Sequence, residues 1–192
     1  MRLQVADLPT TGPVAQVISE LDALSALVNQ LLRLAQAEDA MLAARQPVDL
    51  NAVSRKVCED LAPLALPRGQ TIEFDAPQRP VVLSGQAELL DIAVRNVVDN
   101  ALKASPRAAT VSVTVSGEGT VVVEDQGPGI PDKQKEAIFT RFWRADRARG
   151  GGAGIGLALV KRIVELHGGS VRVEDRACGG SRFVLALGSQ DS

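Results

Sequence analysis

With 192 residues, 45% of them hydrophobic, and a net charge of −2, the chain can build a real core and carries no global basic field, so nucleic acid is not an expected partner. Aromatics at 3%, two cysteines (Cys58 and Cys178) far apart and a single histidine, His167, exclude base-stacking platforms, a disulfide framework and a histidine-rich metal site. No run reaches the roughly 18–20 apolar residues of a membrane span, and no basic stretch followed by an apolar block opens the chain, so a reducing, cytoplasmic location is expected.

Residues 14–37 carry Val14, Val17, Leu21, Leu24, Val28, Leu31 and Ala35, stepping alternately by three and four. That seam predicts one long helix needing a partner, as in a helical hairpin or coiled coil. Only a short stretch broken by "LPTTGP" precedes it, so the segment reads as half of a bundle. "AARQPVDL" reads as a linker into a short strand. Asp49 or Asn51 is placed to cap a helix over about 51–65, which "LPRG" ends. "TIEFDA" and "PVVLSG" predict strands, and residues 85–104 predict a helix stopped by "SP". "TVSVTVSGEGTVVVED" predicts a hairpin around a Gly-rich turn. Residues 126–152 read as a loop with a short helix near 133–139. A helix over about 154–167 ends at Gly168 and Gly169, and strands at 170–175 and 181–187 flank "ACGG". From residue 46 on, helices and strands mix without strict βαβ alternation. The expected fold is therefore α+β, a two-layer sandwich with helices on one face of a mostly antiparallel sheet, preceded by one long helix.

The helix over 85–104 contains Asn96 and Asn100, poor interior residues because their amides compete for backbone groups. At about 100° per residue they share with Lys103 a stripe roughly 60° wide, opposite Val94, Val97, Val98, Ala101 and Leu102. Alone, such a stripe describes the wet face of an amphipathic helix. Leu89 and Ile92 lie on the same stripe, however, which predicts that something covers it. Two amide oxygens and an ammonium suit a hard cation and phosphates. In "VVVEDQGPGIP", Asp125 ends a strand, and Gly127 and Gly129 let backbone pass close to a ligand. A carboxylate there can accept from an exocyclic amine such as adenine's, although an ordinary Asp-Gly turn is the plainer alternative. "GGGAGIGLALV" runs Gly152, Gly154 and Gly156 into a helix N-terminus, a phosphate cradle or else a hinge. It has neither Rossmann nor P-loop spacing. Between them, "FTRFWRADRARGGG" sets Arg141, Arg144, Arg147 and Arg149 among Phe139, Phe142 and Trp143. Such a loop can close over phosphates; a solvated charge run is the alternative, stronger for Arg147 and Arg149 than for Arg144.

In this order the motifs closely resemble the catalytic and ATP-binding domain of sensor histidine kinases, of the Bergerat-fold (GHKL) superfamily shared with gyrase, Hsp90 and MutL. "NVVDNALKAS" looks like the N box, "DQGPGIP" the G1 box, "FTRFWR" the F box, "GAGIGLALV" the G2 box, and "GGSRF" a last Gly-rich box beside the nucleotide. The resemblance covers about residues 46–188, with 189–192 a tail. Residues 1–45 resemble part of the dimerisation and histidine-phosphotransfer hairpin, with the second helix at 14–45. The resemblance implies ATP and Mg²⁺ as cofactors. It implies that Asn100 coordinates Mg²⁺ with Asn96 beside it, that Lys103 and Arg144 bind phosphates, and that these four carry catalysis. It implies that Asp125 accepts the adenine amine, that Gly127 and Gly129 shape the adenine pocket, and that Gly152, Gly154 and Gly156 supply the lid hinge and phosphate contacts. Ile130, Ile155, Leu157 and Ser181 are expected to line the nucleotide site.

In the ATPase branches a Glu typically stands at the place of Asn96 and activates water. An amide cannot act as a base, which favours phosphoryl transfer over hydrolysis. The chain departs from the pattern at Ala104, where an aromatic is common, and at Ser181, where Thr is usual. It also has no His-Glu-x-x-Arg-Thr-Pro-like acceptor box; "MRLQVADLP" looks like the tail of the missing first helix. His167, in "VELHGG", is expected to cap or pack. The expectation is a fragment that binds ATP but cannot autophosphorylate. The parent would pass the γ-phosphate to a His and then to the Asp of a response regulator receiver domain. It would dimerise through the hairpin helices and reach the bacterial inner membrane only through segments missing here. The alternatives are an anti-sigma-factor-type serine kinase, against which the heptad seam argues, and a truncated ATP-binding or dimerisation module without kinase activity.

Overall fold

The computed structural model describes residues 44–143 and 154–187. The long helix expected over 14–37 lies outside them. The first strand, β1 (Gln46–Asp49), runs directly into helix α1 (Leu50–Ala65). Of the two expected caps it is Asp49 that serves, its carboxylate accepting from the N–H of Asn51 at 3.0 Å. A single 3₁₀ turn, Leu66–Arg68, and Gly69 at φ 64° end this helical stretch, the left-handed position that glycine occupies at least cost. Strands β2 (Thr71–Asp75) and β3 (Val82–Gly85) follow, and then helix α2 (Ala87–Ala104). The hairpin β4 (Thr110–Val115) and β5 (Thr120–Glu124) precedes helix α3 (Gly156–Leu166), and β6 (Ser170–Asp175) with β7 (Ser181–Ala186) closes the domain.

β1 pairs antiparallel with β3 in a small ribbon, and the main sheet has the order β2-β4-β5-β7-β6. Among the described strands only β2–β4 is parallel; the other pairs are antiparallel. Alternation along the strands sends Val111, Val113, Val115, Val121, Val123, Phe183 and Leu185 inward, all buried. The opposite face carries Ser112, Glu124, Arg182 and Glu174 in one register row, with Arg182 paired to Glu124 at 3.3 Å. One face is thus apolar and helix-covered while the other is wet, which makes the expected two-layer α+β sandwich.

α2 is the central helix, and Leu89, Leu90, Ile92, Ala93, Val94, Val97, Val98, Ala101 and Leu102 are all buried. Its neighbour α3 runs antiparallel to it, since Gly156 abuts Asn96 while His167 receives a hydrogen bond from the N–H of Gln86. α3 is therefore the cover over the stripe that Leu89 and Ile92 begin.

One expected element differs. The short helix near 133–139 is two 3₁₀ turns, Asp132–Gln134 and Ala137–Phe139. Its apolar residues are consecutive rather than spaced by three or four, so no amphipathic face exists to sustain an α-helix. Thr140 then stops the second turn, its hydroxyl donating back to the carbonyl of Ala137 at 2.6 Å. α3 begins at Gly156 rather than 154, because Gly154 is left-handed at φ 69°.

Candidate functional site

β5 ends at Glu124, and the next residue, Asp125, is 1% exposed. Its Oδ1 accepts from the backbone N–H groups of Gly127 at 2.8 Å and Ser181 at 3.0 Å. Its backbone is pinned as well. The N–H donates to the carbonyl of Ser181 at 2.9 Å, and the carbonyl accepts from Arg176 Nη1 at 3.0 Å. The other carboxylate oxygen, Oδ2, is buried without a partner among the described residues. Leaving such an acceptor unpaired costs about 1–3 kcal/mol. The side chain is thus held rigidly by one oxygen, and the second presents an unmet demand for a donor.

Small residues bring three chain segments onto this carboxylate. A Cβ on Gly180 would lie 2.1 Å from the carbonyl oxygen of Asp125. One on Gly127 would lie 2.9 Å from the carbonyl oxygen of Ala104, at the end of α2. Ser105, 1% exposed, accepts a hydrogen bond on Oγ from the N–H of Gln126 at 3.2 Å. The loop after β5 is therefore wedged between the C-terminus of α2 and the β6–β7 turn. Gly129, at φ 78°, takes it past the carbonyl of Gly180, and half-buried Ile130 packs on the core.

Along α2 the polar stripe divides. Asn96 donates through Nδ2 to the carbonyl of Ile92 at 2.7 Å and turns Oδ1 toward Gly156, whose added Cβ would lie 2.8 Å away. Its amide thus faces the N-terminus of α3. Asn100, one turn on, is half-buried. Lys103 is 65% exposed and pairs with Asp99 at 2.6 Å. A Cβ on Gly154 would lie 2.6 Å from the carbonyl oxygen of Trp143, and the N–H of Phe142 donates to the carbonyl of Gly154 at 2.9 Å. These contacts tie the "FTRFW" segment to the start of α3. Ile155 is buried and Leu157 is packed on the core. Arg144 and Gly152 lie outside the described residues.

Ser181 meets Asp125 through its backbone, both its N–H and its carbonyl being bonded to that residue. Ser105, Arg176 and Gly180 have no role of their own assigned from sequence, yet all three touch the loop of Asp125. Only Gly180 had a local signal, the paired glycines of the turn; both adopt positive φ, 84° at Gly179 and 94° at Gly180.

His167 is 6% exposed and engaged at both ring nitrogens, Nδ1 with the carbonyl of Ile163 at 2.8 Å and Nε2 with the N–H of Gln86 at 3.2 Å. It is a neutral tie between α3 and the start of α2, as its capping role requires. Burial above all holds its pKa down, with the Arg45 guanidinium adding to the effect and the bond to Ile163 opposing it.

Residues 85–191 match the family described as histidine kinase-, DNA gyrase B- and HSP90-like ATPase. The chain belongs to this ATPase family. Within it, the relatives are kinases. The histidine-protein kinase/phosphatase MprB of Mycobacterium avium is 39% identical over 86% of this chain and 32% of its own length. The sensor kinase CpxA of Escherichia coli is 32% identical over 90% of this chain and 38% of its own. The solved mycobacterial MprB sensor kinase superposes with a TM-score of 0.66 at 33% identity, over 76% of this chain and 99% of that one. Full-length ShkA, in complex with AMPPNP, does so at 0.70 and 28%, over 96% of this chain and 41% of that one. This is the histidine-kinase type of ATP-binding catalytic domain. The chain spans about a third of the length of these curated relatives, and none of its described helices is long and apolar enough to cross a membrane.

Proposed function

We propose that residues 46–188 bind ATP with Mg²⁺ and orient its γ-phosphate for transfer to a histidine outside this chain, from which a response regulator takes it. The observation that carries the reading is Asp125 Oδ2, a buried carboxylate oxygen lacking a donor among the described residues. An exocyclic amine supplies one. ShkA, part of which shares this fold, was solved in complex with AMPPNP, which supports the assignment.

In this reading Asn100 and Asn96 present amide oxygens suited to a hard cation. The cation would neutralise phosphate charge. Lys103 would exchange its exposed Asp99 partner for a phosphate, at little cost because surface pairs of this kind contribute about 0–1 kcal/mol. Arg144, Gly152, Gly154 and Gly156 complete the phosphate side, with Ile130, Ile155 and Leu157 as apolar walls. Since Asn96 is an amide and offers no base, the domain positions a phosphoryl group rather than activating water. His167, buried with both nitrogens bonded, is not the acceptor. Residues 1–45 would supply a helix of a dimerisation hairpin, and the parent protein would place this domain on the cytoplasmic side of the inner membrane.

A fluorescent ATP analogue titrated with and without Mg²⁺ tests the assignment. Asp125→Asn swaps an acceptor for a donor, and its expected effect is a roughly 10–100-fold loss of affinity with the fold intact, the worth of one charged hydrogen bond. Undiminished affinity in that variant would sink the reading.

A further inference from the structure

α2 ends without a glycine cap. The carbonyls of its last turn are orphans of the helix, and two side chains from the α1–β2 connection collect them. Arg68 donates through Nη1 to the carbonyl of Leu102 at 3.0 Å and through Nη2 to that of Ser105 at 2.9 Å. Gln70 Nε2 reaches the carbonyls of Leu102 at 2.9 Å, Ser105 at 3.0 Å and Pro106 at 3.0 Å. Gln70 is 4% exposed, and its Oε1 is buried without a partner among the described residues. An amide that leaves its own oxygen unpaired is an expensive way to hold a helix end, since that oxygen alone costs about 1–3 kcal/mol. An αL glycine would do the same task without it.

What lies beyond the clamp gives it a purpose. Ser105, whose carbonyl Gln70 and Arg68 both grip, holds the N–H of Gln126 on its hydroxyl. Ala104, the residue before it, sets its carbonyl against Gly127. Those two residues flank the unpaired carboxylate oxygen on the chain side, since Gln126 is next to Asp125 and the N–H of Gly127 is one of the donors holding Oδ1. The clamp itself is rigidly based. The N–H of Gln70 donates to the carbonyl of Ala65, and the N–H of Ala108 to that of Arg68.

We propose that Gln70, assisted by Arg68, is a positioning residue for base recognition: it fixes the last turn of α2, and through Ser105 and Ala104 it fixes the distance and direction at which Asp125 Oδ2 meets the exocyclic amine of the nucleotide. This rests on reading Asp125 as the acceptor of that amine.

The experiment uses the full chain and two nucleotides, ATP and purine riboside triphosphate, which lacks the amine. Each displaces a fluorescent ATP analogue. The wild type is expected to prefer ATP by about tenfold or more. Gln70→Leu keeps the volume and loses the donors; its expected effect is to weaken ATP about 3–10-fold while leaving the amine-free nucleotide within about twofold, so that discrimination shrinks. His167→Gln loosens the opposite end of α2, about 27 Å away by helix rise over its 18 residues, and is expected to leave discrimination intact at a comparable loss of thermal stability. If Gln70→Leu fails to fold, Arg68→Lys, which replaces a forked donor with a single one, reads the same ratio. Equal loss for both nucleotides, or no change in the ratio, overturns the positioning role. A wild type that does not discriminate overturns the Asp125 reading itself, and the two failures are told apart by which protein shows them.

Discussion

Asn96 and Gly156 show how a single atom's absence sets a residue's chemistry. Gly156 opens α3 without a positive φ, so alanine there brings better helix propensity, worth at most the roughly 1 kcal/mol of a helix interior. Its Cβ would lie 2.8 Å from Asn96 Oδ1, however, and the amide would have to leave its bond to Ile92. That loss is worth about 0.5–1.5 kcal/mol, so the two terms nearly cancel. Gly156→Ala is expected to unfold within a few degrees of the wild type yet bind nucleotide several-fold more weakly. Gly180→Ala is the contrast. Its Cβ would strike the Asp125 carbonyl oxygen at 2.1 Å with the backbone at φ 94°, and the expected cost is about 1–3 kcal/mol or more in a denaturant titration. Both glycines stand in sequence motifs, but only their tertiary surroundings make one position tolerant and the other intolerant.

At the scale of elements, α2 and α3 are joined by apolar packing along their length and by His167 at one end. The hydrogen bond from Gln86 requires a bare Nε2, so the tie exists only while the ring is neutral. The folded state holds the ring's pKa below the ordinary 6.5 through burial and the nearby Arg45 guanidinium, against the opposing bond to Ile163. As pH falls through 6.5, the unfolded chain takes up the proton first, so stability is lost from there down to the depressed folded value and is fully present above 6.5. Thermal midpoints measured by circular dichroism from pH 8 to pH 5 are expected to drop below about pH 6.5. His167→Gln should flatten that segment; an unchanged slope would show that other groups carry it. The helix positions themselves were legible from apolar spacing and stop signals. The two 3₁₀ turns at 132–139 were not, because a run of adjacent apolar residues carries no period to read.

For the whole molecule, the sheet's two faces predict two different responses in neighbouring residues. Phe183 is fully buried between sheet and helices, and its neighbour Arg182 lies on the wet face in exposed ion pairs with Glu124 and Glu174. Phe183→Ala is expected to cost about 3–5 kcal/mol, a large part of a domain's usual 5–15. Arg182→Ala is expected to cost about 0–1. Urea unfolding of both variants measures the difference. A single transition is expected in each, because the buried residues of the ribbon, sheet and helices form one cluster.

Local order in the chain was enough to determine the α+β class, the β4–β5 hairpin, and the four motif positions that make an ATP-binding domain recognisable. These are matters of period, turn chemistry and spacing, which neighbours along the chain decide. Tertiary structure alone decided that Asp125 keeps one oxygen satisfied and one without a partner among the described residues, that Ser181 meets Asp125 through its backbone, and that Gln70 grips the end of α2. Each of these depends on groups that meet across 32 to 56 positions of sequence, and only the packing of sheet against helices brings such groups within hydrogen-bonding distance.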